Sequence, residues 1–400
     1  MPGPLSGINV VELQGRGPGP FGTMLLADLG ADVVRVARIE DFAAAADETD
    51  TERMIAGRRR VDLLARGRRS VAVDLKHPDG VDTVLRLVDG ADVLVEGYRP
   101  GVAERLGVGP EVCLGRNPRL VYARITGWGQ EGPYARIPGH DLNYVALAGA
   151  LDPLRRPGQA PAPPLNLLGD FGGGGMLLAV GILGALVERA RSGRGQVVDT
   201  AMVDGVALLT TLLHGMRAEG LWSDEPGTNV LDLAAPFYNV YETADARYVT
   251  VAAGEPKFYG ELLVRLGLED LREDQADPAT WPDAKARLAA VFKTKTRDEW
   301  CELLDGTDTC FAPVLTLAEA PAHPHNAARA TFTTVDGVVQ PSPAPRFART
   351  PAEVGGPPVA AGRHSTEVLL ERGFAPTEVD ALLAAGVVGQ AGEPAAPRRG

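Results

Sequence analysis

The first half of the chain alternates short β-branched runs with segments of helical periodicity, and this alternation constrains the fold most strongly. Residues 8–13 and 33–36 are strand-like, and a glycine- and proline-rich turn followed by an apolar helical stretch separates them. Similar strand-like runs return at residues 70–75, 93–96 and 120–125. Strands that are separated by helix-length crossovers pair in parallel. The sequence therefore predicts an α/β fold with a doubly wound, Rossmann-like sheet.

A second, smaller domain is predicted downstream. Alternating residues at 238–242 and 248–252 indicate an antiparallel hairpin, and helical segments near 256–267, 283–293 and 297–304 follow it. The predicted boundaries are a large α/β domain at 1–200, a linker at 201–237, a small α+β domain at 238–325, a return to the large domain at 326–385 and a disordered tail at 386–400. Residues 41–69, acidic and then rich in arginine, interrupt the alternation, and we interpret them as a mobile insertion or a lid over a site.

Composition narrows the class of protein. The chain has 40 Lys and Arg against 52 Asp and Glu, a net charge of −12, which disfavours a general nucleic-acid binder. The 3 cysteines form no CxxC pair, so neither a disulfide framework nor a metal site is expected. There is no basic, apolar leader at the start, and the uncharged run at 171–187 is shorter than a membrane-spanning helix. We expect a cytoplasmic enzyme without membrane insertion.

The turn after the first strand contains a G-x-G-x-x-G pattern, Gly17-Pro-Gly-Pro-Phe-Gly22, with Glu40 about twenty residues on. Taken alone, the pattern predicts a dinucleotide-binding dehydrogenase. However, Pro18 and Pro20 lack the N–H groups with which such a loop holds a pyrophosphate. We therefore favour a tight strand-to-helix turn, in which Pro20 occupies the first position of the helix.

Two later segments contain candidate catalytic groups. His140 opens a predicted helix in the segment Gly139-His-Asp-Leu-Asn-Tyr144, and Asp170 precedes the four glycines at 172–175. The simplest interpretations are a structural histidine and a helix N-cap. Loop-to-helix junctions at the edge of a parallel sheet are nevertheless where such folds place chemistry. We interpret the glycines as a loop whose free N–H groups stabilise an anion beside the Asp170 carboxylate.

Basic side chains follow several of the predicted strands. Arg38, Lys76, Arg99 and Arg105 come after the second, third and fourth strands, where positive charge suits a phosphorylated ligand. Solvated surface charge is the alternative for each of these residues.

Together these segments resemble the racemase branch of the class III CoA-transferase (CaiB/BaiF) superfamily. The resemblance runs from residue 3 to about residue 335 and includes Asp74-Leu-Lys76, Tyr98-Arg-Pro-Gly101, Gly139–Tyr144, 166–174, 193–199 and 254–259. The histidine segment is the discriminating one, because transferases of the superfamily generally lack it. The chain departs from the family pattern in its longer, arginine-rich 41–69 segment and at Arg16.

The resemblance implies a set of roles for these residues. His140 and Asp170 would be the two acid/base groups, and Glu255 would be the partner of His140, reaching it from the other subunit of an interlocked homodimer. The implied substrate is an acyl-CoA, with no cofactor beyond its CoA moiety. The CoA contacts would be Arg38, Val73, Asp74, Leu75, Lys76, Arg99, Arg105, Gly139, Asp141, Leu142, Asn143 and Tyr144.

The implied reaction is racemisation or epimerisation of 2-methyl-branched acyl-CoA thioesters by 1,1-proton transfer through an enolate. Inversion needs one acid/base group on each face of the planar intermediate, and His140 and Asp170 would supply them. The alternative within the superfamily is CoA transfer, with Asp170 as a nucleophile that forms an acyl anhydride. A non-catalytic acyl-CoA-binding protein is the alternative from another class.

Overall fold

The structure is a computed structural model that describes residues 3–42 and 61–392. Most of the predicted insertion or lid, residues 43–60, and the last part of the predicted tail, residues 393–400, therefore lie outside the described residues. The prediction was wrong for residues 61–69, because Arg66 and Arg68 are buried there in ion pairs with Asp28 and Glu12. The strands are β1 Asn9–Leu13, β2 Asp32–Arg38, β3 Arg69–Val73, β4 Val93–Glu96, β5 Val121–Thr126, β6 Gln196–Ala201, β7 Tyr238–Glu242, β8 Tyr248–Ala252, β9 Phe311–Pro313, β10 Phe332–Val335, β11 Val338–Pro341 and β12 Val388–Gly389.

Helices separate most of these strands. They are α1 Pro18–Asp28, α2 Ile39–Phe42, α3 Pro78–Asp89, α4 Val102–Arg105, α5 Pro110–Arg116, α6 Asp141–Leu147, α7 Leu177–Ser192, α8 Met202–Leu209, α9 Thr211–Ala218, α10 Pro256–Leu266, α11 Trp281–Phe292, α12 Arg297–Leu304, α13 Pro324–Ala328, α14 Ser365–Glu371 and α15 Pro376–Ala384. A π-helix, Leu167–Met176, leads directly into α7. Short 3₁₀ turns lie at Leu63–Ala65, Asp152–Leu154, Glu269–Asp274 and Ala320–Ala322.

The first compact unit, residues 1–148, 164–209 and 330–400, is built on a seven-stranded sheet in the order β12-β3-β2-β1-β4-β5-β6. Strands β1 to β6 pair in parallel, and only β12 is antiparallel to its neighbour β3. The predicted α/β class and parallel sheet are confirmed. Two strands of this sheet were not predicted, the edge strand β6 and the two-residue β12, and neither was the separate antiparallel pair of β10 and β11.

Helices cover both faces of this sheet, as the nearly continuous burial of β1, β3, β4 and β5 requires. Leu13, Val34 and Leu94 pack on one face with side chains from α3, α5, α14 and α15. Val10 and Val33 pack on the other face with side chains from α1, α6, α7 and α8. The chain order reverses between β1 and β4, and the carboxyl ends of the strands at such a reversal form a crevice where α/β proteins bind ligands.

The second compact unit, residues 149–163 and 210–329, has its own sheet and its own core. Strands β7, β8 and β9 form an antiparallel sheet in that order, and α10, α11 and α12 pack against it. The predicted hairpin and its three helices are present with nearly the predicted bounds, while β9 was not predicted. Stacked and edge-on aromatic side chains fill the core, among them Phe237, Tyr241, Tyr259, Trp281, Phe292 and Trp300.

The predicted domain boundaries differ from these units at three places. Residues 149–163 belong to the second unit, although the prediction assigned them to the large domain. The predicted linker 201–237 contains α8 in the first unit and α9 in the second, because its apolar side chains recur at helical spacing. Strand β12 extends the return to the first unit beyond residue 385, into the predicted tail.

One helical stretch, Leu167–Ser192, is long and apolar enough to cross a membrane by length and composition alone. A core helix of a globular domain meets the same criterion. Here Leu178 and Ile182 are fully buried in the cluster formed with β5 and the other strands of the sheet.

Candidate active site

A cavity of about 530 Å³ lies in the first unit at the carboxyl ends of β1, β2, β4 and β5. It lies at the point where the strand order reverses, as expected for a ligand site in this type of fold. Six of the predicted site residues line it: Arg38, Arg99, Gly139, His140, Tyr144 and Asp170. The polar groups from the segments 139–144 and 166–174 therefore do meet in one cavity.

The turn that contains the G-x-G-x-x-G pattern forms one wall of the cavity. Gly17 adopts a left-handed φ of 62°, and α1 begins at Pro18, so the prediction that Pro20 is the first helical residue was wrong by two residues. Gly17 also contacts Asp170, since a Cβ atom at residue 17 would lie 2.9 Å from Asp170 Oδ2. The glycine thus makes room for a carboxylate of the same chain, which agrees with a strand-to-helix turn rather than a pyrophosphate loop.

His140 is the residue immediately before helix α6, and its side chain is exposed in the cavity. Its backbone is fixed at the helix start: the His140 N–H donates to Asn143 Oδ1 at 3.0 Å, and the His140 carbonyl accepts the Asn143 N–H at 2.8 Å. These reciprocal bonds hold the imidazole at the helix N-terminus without using its ring nitrogens.

Asp170 lies in the first half of the π-helix and is half-buried. Asn166 Nδ2 donates to Asp170 Oδ2 at 3.2 Å, and the backbone N–H of Asp170 donates to Asp141 Oδ1 at 2.7 Å. Burial raises the pKa of the Asp170 carboxyl, the nearby Asp141 charge raises it further, and the Asn166 bond and the charge of His140 oppose the rise. A raised pKa makes the Asp170 carboxyl easier to protonate, which favours its use as an acid.

The floor beside His140 is aromatic. Trp128 packs edge-on against Tyr144, with ring centroids 4.7 Å apart, and the Tyr144 hydroxyl donates to the Gly139 carbonyl. Burial raises the pKa of Tyr144 to about 12, so its hydroxyl keeps its proton at neutral pH. Gly127 permits this packing, because a Cβ there would lie 2.1 Å from the Tyr144 ring.

The four glycines at 172–175 do not form the predicted loop. They lie in the π-helix, so their N–H groups are used within the helix rather than left free for an anion. Their role is close packing: a Cβ at Gly173 would lie 2.6 Å from the Val206 nitrogen, and one at Gly175 would lie 2.6 Å from the Pro18 carbonyl oxygen. The prediction of an anion-stabilising glycine loop was wrong, since close approach of α1 and α8 explains the missing side chains.

Several predicted CoA contacts lie elsewhere. The Val73 side chain is only 2% exposed and belongs to the core, so it offers no side-chain contact to a ligand. Lys76 is exposed and pairs with Glu40 at 2.6 Å. Asp141 directs its carboxylate to the Asp170 backbone instead of the cavity. Five other predicted CoA contacts also lie outside the lining of the cavity: Asp74, Leu75, Arg105, Leu142 and Asn143. Glu255 immediately precedes α10 in the second compact unit, where it is exposed.

The cavity also includes residues that the sequence analysis did not assign. Gln14, Tyr98 and Trp128 line it, and Asn166 bonds the Asp170 carboxylate. Tyr98 is held by its backbone N–H, which donates at 2.7 Å to the buried Glu96. Gln14, Tyr98 and Trp128 follow strands, and Asn166 precedes the π-helix. This position at the end of a strand or the start of a helix is the feature of the sequence that could have identified them.

The model of CoA-transferase family III matches residues 5–365. The chain is 48% identical over 379 residues to the alpha-methylacyl-CoA racemase of Mus musculus and 45% identical to that of Homo sapiens, in each case covering 94% of this chain and 95% of the relative. A crystal structure of a CaiB/BaiF family protein from Brucella suis superposes with a TM-score of 0.78 at 28% identity, covering 93% of this chain and all of that one.

Proposed function

This chain belongs to CoA-transferase family III, and within that family we propose that it is an isomerase, a racemase of 2-methyl-branched acyl-CoA thioesters. Two relatives named as racemases, matched over nearly the whole chain, support this assignment. The observation that carries it is local: His140 and a half-buried Asp170 with a raised pKa line the same cavity.

Racemisation needs one group that removes the α-proton and a second group that returns a proton to the opposite face. The α-proton of a thioester is weakly acidic, so a base must remove it while the developing enolate is stabilised. In the proposed mechanism neutral His140 removes the proton in one direction and Asp170 returns one to the opposite face; the reverse direction exchanges the roles. Burial of Asp170 favours its protonated form and so supports its use as an acid.

CoA would enter as part of the substrate, and we propose no other cofactor. Arg38 and Arg99 line the cavity, and their guanidinium groups suit the phosphates of CoA. Lys76 and Arg105 follow neighbouring strands and would extend this basic edge. Glu255 would orient the His140 imidazole and stabilise its cation, a role that carboxylates have beside other catalytic histidines.

We further propose that the partner is a second copy of the chain. The first unit exposes several large apolar side chains on the helical stretch 167–192, including Met176, Val180 and Val187, all more than half exposed. Exposed apolar patches are typical of protein interfaces. In the proposed homodimer, Glu255 comes from the partner subunit's second unit.

Chiral analysis of a single 2-methylacyl-CoA enantiomer tests the proposal. We expect the wild-type chain to convert it to a mixture of both epimers, and His140→Ala and Asp170→Ala each to abolish the conversion. His325→Ala, an exposed histidine on α13, is the matched control and should retain wild-type activity. Full epimerising activity in either site variant contradicts the two-base mechanism, and CoA transfer to an added carboxylic acid without epimerisation favours the transferase alternative.

A further inference from the structure

The Asp141 carboxylate connects the two segments that contain the proposed acid/base groups. Asp141 is covalently adjacent to His140, and its Oδ1 accepts the backbone N–H of Asp170 at 2.7 Å. One side chain therefore links the start of α6 to the π-helix across 29 residues of sequence. A hydrogen bond to a charged acceptor is roughly twice as strong as a neutral one, so this link resists displacement.

The surroundings of Asp141 are shaped to accept its carboxylate. Gly169 faces it so closely that a Cβ there would lie 2.4 Å from Asp141 Oδ1. Asp141 is only 7% exposed, and its second oxygen, Oδ2, is buried and accepts no hydrogen bond from any residue in the ranges 3–42 and 61–392. A buried carboxylate oxygen that accepts no hydrogen bond lowers the stability of the fold. Its presence beside the cavity therefore indicates a functional role rather than a gain in stability.

The charge of Asp141 also acts on Asp170. The charged groups that act on the Asp170 carboxyl are Asp141 and His140, and the Asn166 amide donates a hydrogen bond to it. Tyr144 faces the same carboxyl, whose charge helps to raise the pKa of the tyrosine. Asp141 raises the pKa of Asp170, as the burial of that group does. A raised pKa favours the protonated carboxyl, which is the form that acts as an acid.

We propose that Asp141 is a positioning residue for Asp170: its carboxylate holds the Asp170 backbone in the cavity that contains His140 and keeps negative charge beside the Asp170 side chain. What Asp170 then does rests on the function proposed above. Asp141 itself touches neither substrate nor reacting atoms in this proposal, which distinguishes it from the predicted CoA contact at the same position.

Two substitutions separate the hydrogen bond from the charge. Asp141→Asn keeps an acceptor for the Asp170 N–H and removes the charge, whereas Asp141→Ala removes both. Displacement of a catalytic group by 1 Å can cost about 100-fold in rate, so we expect kcat of Asp141→Ala to fall about 100-fold with little change in KM. Asp141→Asn should recover at least about tenfold of that loss, with its pH profile shifted to lower pH.

A second readout does not depend on activity. In protein labelled with ¹³C at the aspartate carboxyl groups, the Asp170 resonance should titrate at lower pH in Asp141→Asn than in wild type. Glu111→Gln, an exposed acidic residue in the first turn of α5, is the matched control and should change neither kcat nor the titration.

The proposal is overturned if Asp141→Ala keeps kcat within about twofold of wild type, or if the Asp141→Asn titration of Asp170 is unshifted. If Asp141→Ala does not fold, Asp141→Asn decides through its pH profile and its titration. If wild type moves no α-proton, the proposed function fails, yet the carboxyl titration still decides whether Asp141 acts on Asp170.

Discussion

Gly17 and Asp170 are in contact across the wall of the cavity: a Cβ at residue 17 would lie 2.9 Å from Asp170 Oδ2 and 3.3 Å from Cγ. The glycine lies in the turn between β1 and α1, and the carboxylate lies in the π-helix that packs on α1. The absence of a side chain at Gly17 therefore leaves the space that the Asp170 carboxylate, the proposed acid/base group, occupies.

Gly17→Ala should lower kcat at least about tenfold, because the added methyl displaces the Asp170 carboxylate or forces the turn to move. Since Gly17 has a positive φ, the substitution also strains the backbone, and a control must separate the two effects. Gly7→Ala does so: Gly7 has a φ of 89° and no atom within 4 Å of the added Cβ. Both variants should lose about 1 kcal/mol of stability, measured by urea unfolding, but only Gly17→Ala should lose activity. Equal activity in the two variants would contradict the contact.

Asp170→Asn should stabilise the protein at neutral pH while it removes activity. The pKa of Asp170 is raised in the folded state, so the folded protein binds this proton more readily than the unfolded chain. The carboxyl therefore destabilises the fold above its folded pKa, and the penalty disappears as pH falls toward the unfolded value. Thermal unfolding from pH 7 downward should show a stability gain for the variant that shrinks with falling pH. Asp380→Asn, exposed on α15, should show no such trend. A destabilised Asp170→Asn at pH 7 contradicts the prediction.

Gly173→Ala tests the packing role of the glycine run. Its Cβ would lie 2.6 Å from the Val206 nitrogen, and overpacking of this kind costs about 1–3 kcal/mol. Gly115→Ala, on α5 with open space around the added Cβ, should instead gain about 0.5–1 kcal/mol. The midpoints of urea unfolding measure both changes. If Gly173→Ala is as stable as wild type, the glycines serve another purpose than close helix packing.

The sequence predicted the strands whose own residue pattern shows that they are buried. The runs at residues 8–13, 33–36 and 93–96 are buried central strands, and continuous β-branched residues mark such strands directly. Strand β6 was missed because it lies at the sheet edge with residues 196 and 197 exposed, so its apolar pattern is weak. Strand β9 has 3 residues and ends in proline, which gives hardly any pattern to recognise.

The sequence predicted which residues belong to the site better than it predicted how those residues contact one another. His140 and Asp170 were identified from their segments, and both line the cavity. The role of the four glycines was misjudged because glycine signals both a loop and a close helix contact, and only tertiary packing separates the two. The bond between Asp141 and Asp170 joins residues that are distant in the chain, so periodicity and spacing contain no trace of it.

The central claim is that His140 and Asp170 invert a carbon next to a thioester. Proton NMR of one pure 2-methylacyl-CoA enantiomer in D₂O, with the wild-type enzyme and an added carboxylic acid, tests it most directly. We predict loss of the α-proton signal together with the appearance of the opposite epimer, while CoA stays on the original acyl group. Transfer of CoA to the added acid with the α-proton retained would contradict it and would make Asp170 a nucleophile.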